Sequence, residues 1–346
     1  LHSFPTRRSS DLSLSHLFIV QSCVVTIVGA GKQEGGKGKT QGMSSPWDIT
    51  PIHTKGNKFL VAMAGSHQIW KLNLRKGLVR NFSGTGDEKH LNSADGILQA
   101  CWAQPSGIAC CLCEKRENMR EVYVADSESS TVRLIRWRQK KGETATLCGG
   151  VEGQPQNLFV FGDVDGCGEP ARLQHPMAVV WVSAKGGCWQ KREETVEATT
   201  GEKEKEQERE SGKEKEKEKE KEQEQAKEKE KKKKKEKEKE RETKDGRVIV
   251  ADSYNHQLKI LDPTSKKIVS WLGGQGDTKR GYVDGDWREV AFAEPSGLCF
   301  SRRLGKLFVA DTNNHVVRVV DIHTGNTATT HLHFSSPGSR NKETEN

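Results

Sequence analysis

The strongest constraint in this chain is a fifteen-residue pattern that keeps returning. EVYVADSESSTVRLI (121–135) recurs as RVIVADSYNHQLKIL (247–261) and KLFVADTNNHVVRVV (306–320), with a degenerate copy, FLVAMAGSHQIWKL, at 59–72. Gap-free alignment superimposes Asp126, Asp252 and Asp311 and puts Met63 in their place in the degenerate copy. Each copy is too short to bury its own apolar faces, so such a chain folds as an array of similar units stacked on one another.

Each copy has an upstream partner containing a proline: Ser45-Pro46-Trp47, Gln104-Pro105-Ser106-Gly107, His175-Pro176-Met177 and Glu294-Pro295-Ser296-Gly297. The distance from proline to the Asp position is 17, 21, 76 and 16 residues. Further upstream come the pairs Asp95-Gly96, Asp165-Gly166 and Asp284-Gly285, and before them Gly-rich turns at 29–31, 84–86, 148–150 and 273–276. Runs such as Val248–Ala251 and Leu258–Leu261 have the length and pattern of strands buried on one or both faces. The intervening Asp252-Ser253-Tyr254-Asn255-His256 reads as a turn, its Asp accepting backbone N–H groups ahead of it and its Asn tolerating positive φ. The structural turn residues expected on this basis are Asp126, Asp252, Asn255, His256, Asp311, Asn314 and His315. The Gly-Gly and Asp-Gly pairs read as hairpin chemistry as well. A carboxylate that recurs in every good copy holds structure, because a catalytic group is needed once. The expected fold is all-β, a β-propeller of four-stranded antiparallel blades with four modules visible.

The long third step locates an insertion between two neighbouring strands of one module. From Lys191 to Asp245 the chain carries 21 Lys/Arg and 21 Asp/Glu and almost nothing apolar, so this stretch builds no core and is expected to be a solvated loop or a marginal helix. The whole net charge of +8 then sits on the foldable remainder, read as a spread excess that favours solubility and weak attraction to acidic partners. The opening LHSFPTRRSSDL resembles translated sequencing adaptor, and the mixed run Leu12–Val28 is too polar and short to span a bilayer. The resulting division is a non-family segment at 1–23, blades at 24–189, the charged insertion at 190–245, blades at 246–330 and a disordered tail at 331–346, in a chain that reads as a fragment. Unclosed blade edges in such a fragment favour self-association.

The runs V-A-D-S-Y-N-H-Q-L-K-I and V-A-D-T-N-N-H-V-V-R-V resemble the NHL repeat, and the likeness extends over roughly 24–185 and 246–330. The members most similar to it imply an intracellular protein with a six-bladed propeller, a preceding thioredoxin-like domain and a small β domain after it.

Three functional classes follow. The expected one is a non-catalytic scaffold in the cytosol that binds a protein or peptide on a propeller face, with no catalytic, cofactor or metal residues. Nine cysteines without framework spacing fit a reducing compartment, and the lone Cys110-x-x-Cys113 reads as small apolar residues on a strand. The first alternative is RNA binding through a basic patch of Arg133, Arg136, Arg138, Lys140 and Lys141, around Trp137. The second, taken from lyase-like members of the family, is a metal site built from His67, His175, His256 and His315. Recurrence of His67, His256 and His315 at equivalent or near-equivalent hairpin positions argues instead for turn packing.

Overall fold

The alternating apolar runs assemble into four antiparallel sheets in the computed structural model, which describes residues 44–53, 56–111, 120–138, 141–151, 153–183, 246–274 and 280–330. The first blade holds β1 (Pro46–Pro51), β2 (Lys58–Met63), β3 (Gln68–Asn73) and β4 (Leu78–Ser83), in that order across the sheet. The second holds β5 (Pro105–Cys110), β6 (Arg120–Asp126), β7 (Thr131–Arg138) and β8 (Lys141–Cys148). A short β9 (Gly166–Cys167) precedes the third blade's β10 (Pro176–Val182), β11 (Arg247–Asp252), β12 (Gln257–Asp262) and β13 (Lys267–Gly273), and pairs with β13 as an added edge. The fourth comprises β14 (Pro295–Ser301), β15 (Lys306–Asp311), β16 (Val316–Asp321) and β17 (Thr327–Thr329). These are the four-stranded blades of a β-propeller. β10 and β11 pair directly, so the inserted tract joins two adjacent strands. The run Val24–Val28, where the sequence suggests an additional outer strand, lies outside the described residues.

The innermost strands β1, β5, β10 and β14 pack side by side in chain order. Each begins with its proline, where the missing N–H costs no ladder bond, and each skips one partner immediately afterwards. Between sheets lie continuous apolar clusters: Leu60, Ile69, Ile108, Val124 and Ile135 join the first two blades, and Val179, Val250 and Leu261 lie with Leu134 and Leu147 between the second and third. The middle blades bury both faces, whereas Phe308, Ala310 and Val319 of the fourth are half-buried and Val317 is exposed.

The meander gives the arc two unlike ends. The hairpins β2–β3, β6–β7, β11–β12 and β15–β16 sit at one end with the long connections between blades, here called the linker end. The first-to-second-strand connections and third-to-fourth-strand turns sit at the other, the turn end.

The recurring glycines follow from the hairpins. His67, Ser130, His256 and His315 close them with φ between 52° and 57°. The outer strand ends against the carbonyl of that left-handed residue: a Cβ at Gly84, just past β4, or at Gly273, the last residue of β13, would lie 2.9 or 2.7 Å from the oxygen of His67 or His256, and one at Gly149, just past β8, would run into that of Ser130. Gly273 also has φ +77°. Gly273→Ala is therefore expected to cost about 2 kcal/mol or more, read as a lowered urea midpoint with an unchanged m-value.

Candidate functional site

The charged residues divide into a buried set repeated blade by blade and an exposed set sorted by end. In the second blade the fully buried Asp126 carboxylate accepts the N–H groups of Ala103 and Gln104, at 2.9 and 2.8 Å, just before Pro105. Asp311 takes the N–H of Ala293 at 2.7 Å and Asp252 that of Gln174 at 2.7 Å. The repeated Asp thus reaches back to the segment leading into its own blade. This corrects the expectation that it captures N–H groups ahead of it in the hairpin. The positive φ belongs to His256 and His315, while Asn255 and Asn314 donate to the Asp carboxylate at 2.8 Å and to the carbonyls of Gly162 and Gly281.

Seven residues after each Asp stands a buried cation. Arg133 lies 3.0 Å from Asp126, donates to the carbonyls of Cys101 and Leu91 and to Asn92, and stacks 4.2 Å over Trp102. Arg318 repeats this with Asp311 at 2.8 Å, Asp284 at 2.8 Å, the carbonyls of Ala291 and Val283, and the Phe292 ring. Lys259 in the third blade donates instead to Asp163 and Asp165, at 2.8 and 2.9 Å. On the outer strand, Thr146, Ser270 and Thr329 sit opposite these three cations and bond Asn92, Asp165 and Asp284. Asn92, not Asp95, is therefore the second blade's counterpart of Asp165 and Asp284. The Asp-Gly pairs at 165 and 284 pin a linker to an outer strand; they do not make hairpins. In the first blade Met63 and Trp70 fill the Asp and cation positions with apolar volume.

This geometry sets the electrostatics. Burial pushes the Asp252 carboxyl up to about 7, against the hydrogen bonds from Asn255 and the Gln174 N–H and the charge of Lys259. Burial also works to lower the Lys259 ammonium, but the bonds to Asp163 and Asp165 outweigh it and its pKa is raised. Each charged group in the network bonds its neighbours and so joins linker, innermost strand and outer strand of one blade.

The histidines connect blades. His67 Nδ1 donates to the Ala103 carbonyl, the Glu294 N–H donates to His256 Nδ1 at 3.1 Å, and Ser130 Oγ takes the matching role toward the His175 N–H. His175 stacks on Tyr254 at 4.6 Å, and His315 is exposed. His67, His175 and His256 stand at three separate blade junctions, His315 lies exposed on the fourth blade's hairpin, and the four imidazoles do not converge. Cys110 is buried on β5, as expected of a strand residue; Cys113 lies outside the described residues.

The expected basic patch breaks up. Arg133 is fully buried in the Asp126 pair, and Arg136 is held by Glu121 at 3.1 Å and Glu143 at 2.9 Å. Arg138 and Lys141 are exposed at the turn end, and Lys140 lies outside the described residues. They have company there: Lys58, Arg75, Lys76, Lys266, Lys267, Arg302 and Arg303 are all exposed at that end. Of the described carboxylates there, Glu121, Glu143, Asp262 and Asp321 are each paired with Arg136, Arg247 or Lys306, while the linkers, which run down beside the outer strands, bring the exposed Asp95, Glu169 and Glu289 to the same end. The linker end exposes Asp87 and Glu88 with Arg280, and most of the exposed aromatics, Trp47, Phe159, Phe161, Tyr254 and Tyr282. The positive excess is segregated, not spread as its composition suggested.

The NHL repeat family model matches residues 292–320, the stretch from Phe292 through the Asp311 hairpin to Val320. NHL repeat-containing protein 2 of Homo sapiens is 34% identical over 317 residues, covering 87% of this chain and 34% of that protein. Its Gallus gallus counterpart is 33% identical over 333 residues, covering 92% and 36%. Protein Suppressor of quenching 1, chloroplastic, of Arabidopsis thaliana is 32% identical over 318 residues, covering 90% and 23%. The chain spans about a third or less of the length of these curated relatives. Among solved structures, an auxiliary nutrient binding protein from Bacteroides ovatus superposes at 14% identity with a TM-score of 0.47, covering 81% of this chain and 47% of that one, too loosely to bear on function.

Proposed function

Because the chain belongs to the NHL-repeat β-propeller family and is related to NHL repeat-containing protein 2, we propose that it serves as a non-catalytic scaffold that binds protein partners in the cytosol. One observation carries the reading. The ionisable residues repeated in the blades are consumed in bonds that hold linkers and strands together, while the exposed charges are arranged by end, as suits a module that presents surfaces. A helix long and apolar enough to cross a membrane is absent among the described residues.

A second reading, RNA binding, draws on the unpaired cations of the turn end. Cross-linking of the full chain in cytosolic extract, with and without ribonuclease, separates the two. The scaffold reading expects protein cross-links on exposed loop residues that survive ribonuclease. Cross-links lost on that treatment would overturn it in favour of RNA.

A further inference from the structure

Building on the scaffold reading, we propose that the turn end is the docking face and that its occupant is an acidic protein segment with aliphatic anchors. Topology alone gathers this surface. Its cations come from places far apart in sequence: Arg75-Lys76 between β3 and β4, Lys266-Lys267 where the turn after β12 enters β13, and Arg302-Arg303 between β14 and β15. These doublets are exposed and have no carboxylate partner among the described residues. The carboxylates that the same turns carry are already paired, and the exposed Asp95, Glu169 and Glu289 that the linkers bring here are outnumbered by the exposed cations, so the net field of this end is positive. The inserted tract is attached here, between β10 and β11, but its 21 basic and 21 acidic residues cancel and leave that sign unchanged.

The apolar groups decide what kind of polyanion fits. Single-stranded nucleic acid is held by aromatic side chains on which bases stack. Among the described residues the exposed aromatics Trp47, Phe159, Phe161, Tyr254 and Tyr282 stand at the linker end, and of the tryptophans at the turn end Trp137 is buried and Trp181 and Trp287 are half-buried, none of them exposed. The large exposed apolar residues of the turn end are Leu78 and Leu304, each next to a basic doublet. Aliphatic anchors rimmed by cations complement a peptide that interleaves carboxylates with leucine-like side chains.

The test is fluorescence anisotropy on the full chain with two labelled probes, a peptide of glutamate and leucine and a uridine oligomer of equal charge. The peptide is expected to bind more tightly than the oligomer. Lys266→Glu with Lys267→Glu, and Arg302→Glu with Arg303→Glu, are each expected to weaken it about tenfold at low salt. Lys89→Glu, at the linker end, is expected to leave it unchanged. These side chains project from turns, a linker or, for Lys267, the exposed first position of β13, and an unchanged thermal midpoint checks that each variant folds. Tighter binding of the uridine oligomer with the same sensitivity makes this a nucleic-acid surface and overturns the proposal. So does peptide binding that ignores both doublets, or no peptide binding at all. Ribonuclease-resistant protein cross-links confined to the linker end would overturn this proposal while leaving the scaffold reading intact.

Discussion

Asp126→Ala is expected to lower the free energy of unfolding by about 3–5 kcal/mol, because it strands the charge of Arg133 where no water reaches it. Both side chains are fully buried. The substitution also removes the acceptor for the Ala103 and Gln104 N–H groups, which anchor the lead-in to β5. The first blade indicates the remedy, since it fills the same two positions with Met63 and Trp70. The double variant Asp126→Met with Arg133→Trp is therefore expected to recover a substantial part of the loss. The recovery stays incomplete because the carbonyls of Cys101 and Leu91, now served by Arg133, lose their donor. Urea unfolding followed by far-UV circular dichroism measures both effects. A double variant no more stable than Asp126→Ala would show that the pair cannot be exchanged for apolar packing in this blade.

The same comparison shows which parts of the fold were legible. Asp126, Asp252 and Asp311 fixed the hairpins, and the prolines fixed the first strand of each blade, because those residues are rare enough to stand out at a constant offset. The cations seven residues later recur just as faithfully, yet Arg133 reads as a surface charge because arginine and lysine are so seldom buried. A signal was available: where Asp becomes Met63, the cation becomes Trp70, so the two positions change together within one chain. Asn92 stayed hidden behind Asp95 because the second blade's linker has extra residues and an amide replaces the carboxylate; only the bonds to Arg133 and Thr146 identify it. Charge segregation was invisible to composition, since a sum over the chain adds the acidic linkers to the basic turns. It emerges only when the meander gathers the exposed cations of separate turns at one end of the blades.

The exchange of arginine for lysine in the third blade leads to the second large effect. In the other two blades a guanidinium spans from the Asp to the linker, bonding both. The single ammonium of Lys259 is taken up by Asp163 and Asp165, and Asp252 is left with the Gln174 N–H and Asn255. Burial then dominates, and the carboxyl rises to about 7 from 3.8. A carboxyl whose folded pKa lies above its unfolded value binds more protons when folded, so stability falls as pH rises between the two values. Below pH 4 the group is neutral in both states and contributes nothing to the slope; above pH 7 the full penalty applies, about 4 kcal/mol from the size of the shift. The third blade is thus expected to weaken from pH 5 to pH 8, and Asp252→Asn, which keeps an acceptor for the Gln174 N–H without a charge, to flatten that dependence. At pH 8 the variant should be the more stable protein, with the advantage gone near pH 4. Hydrogen exchange of the β11 and β12 amides across this range, with exchange rates corrected for their intrinsic pH dependence, localises the effect. Equal pH dependence in the two proteins would mean that Asp252 is ionised throughout the range and that Lys259 holds its charge after all.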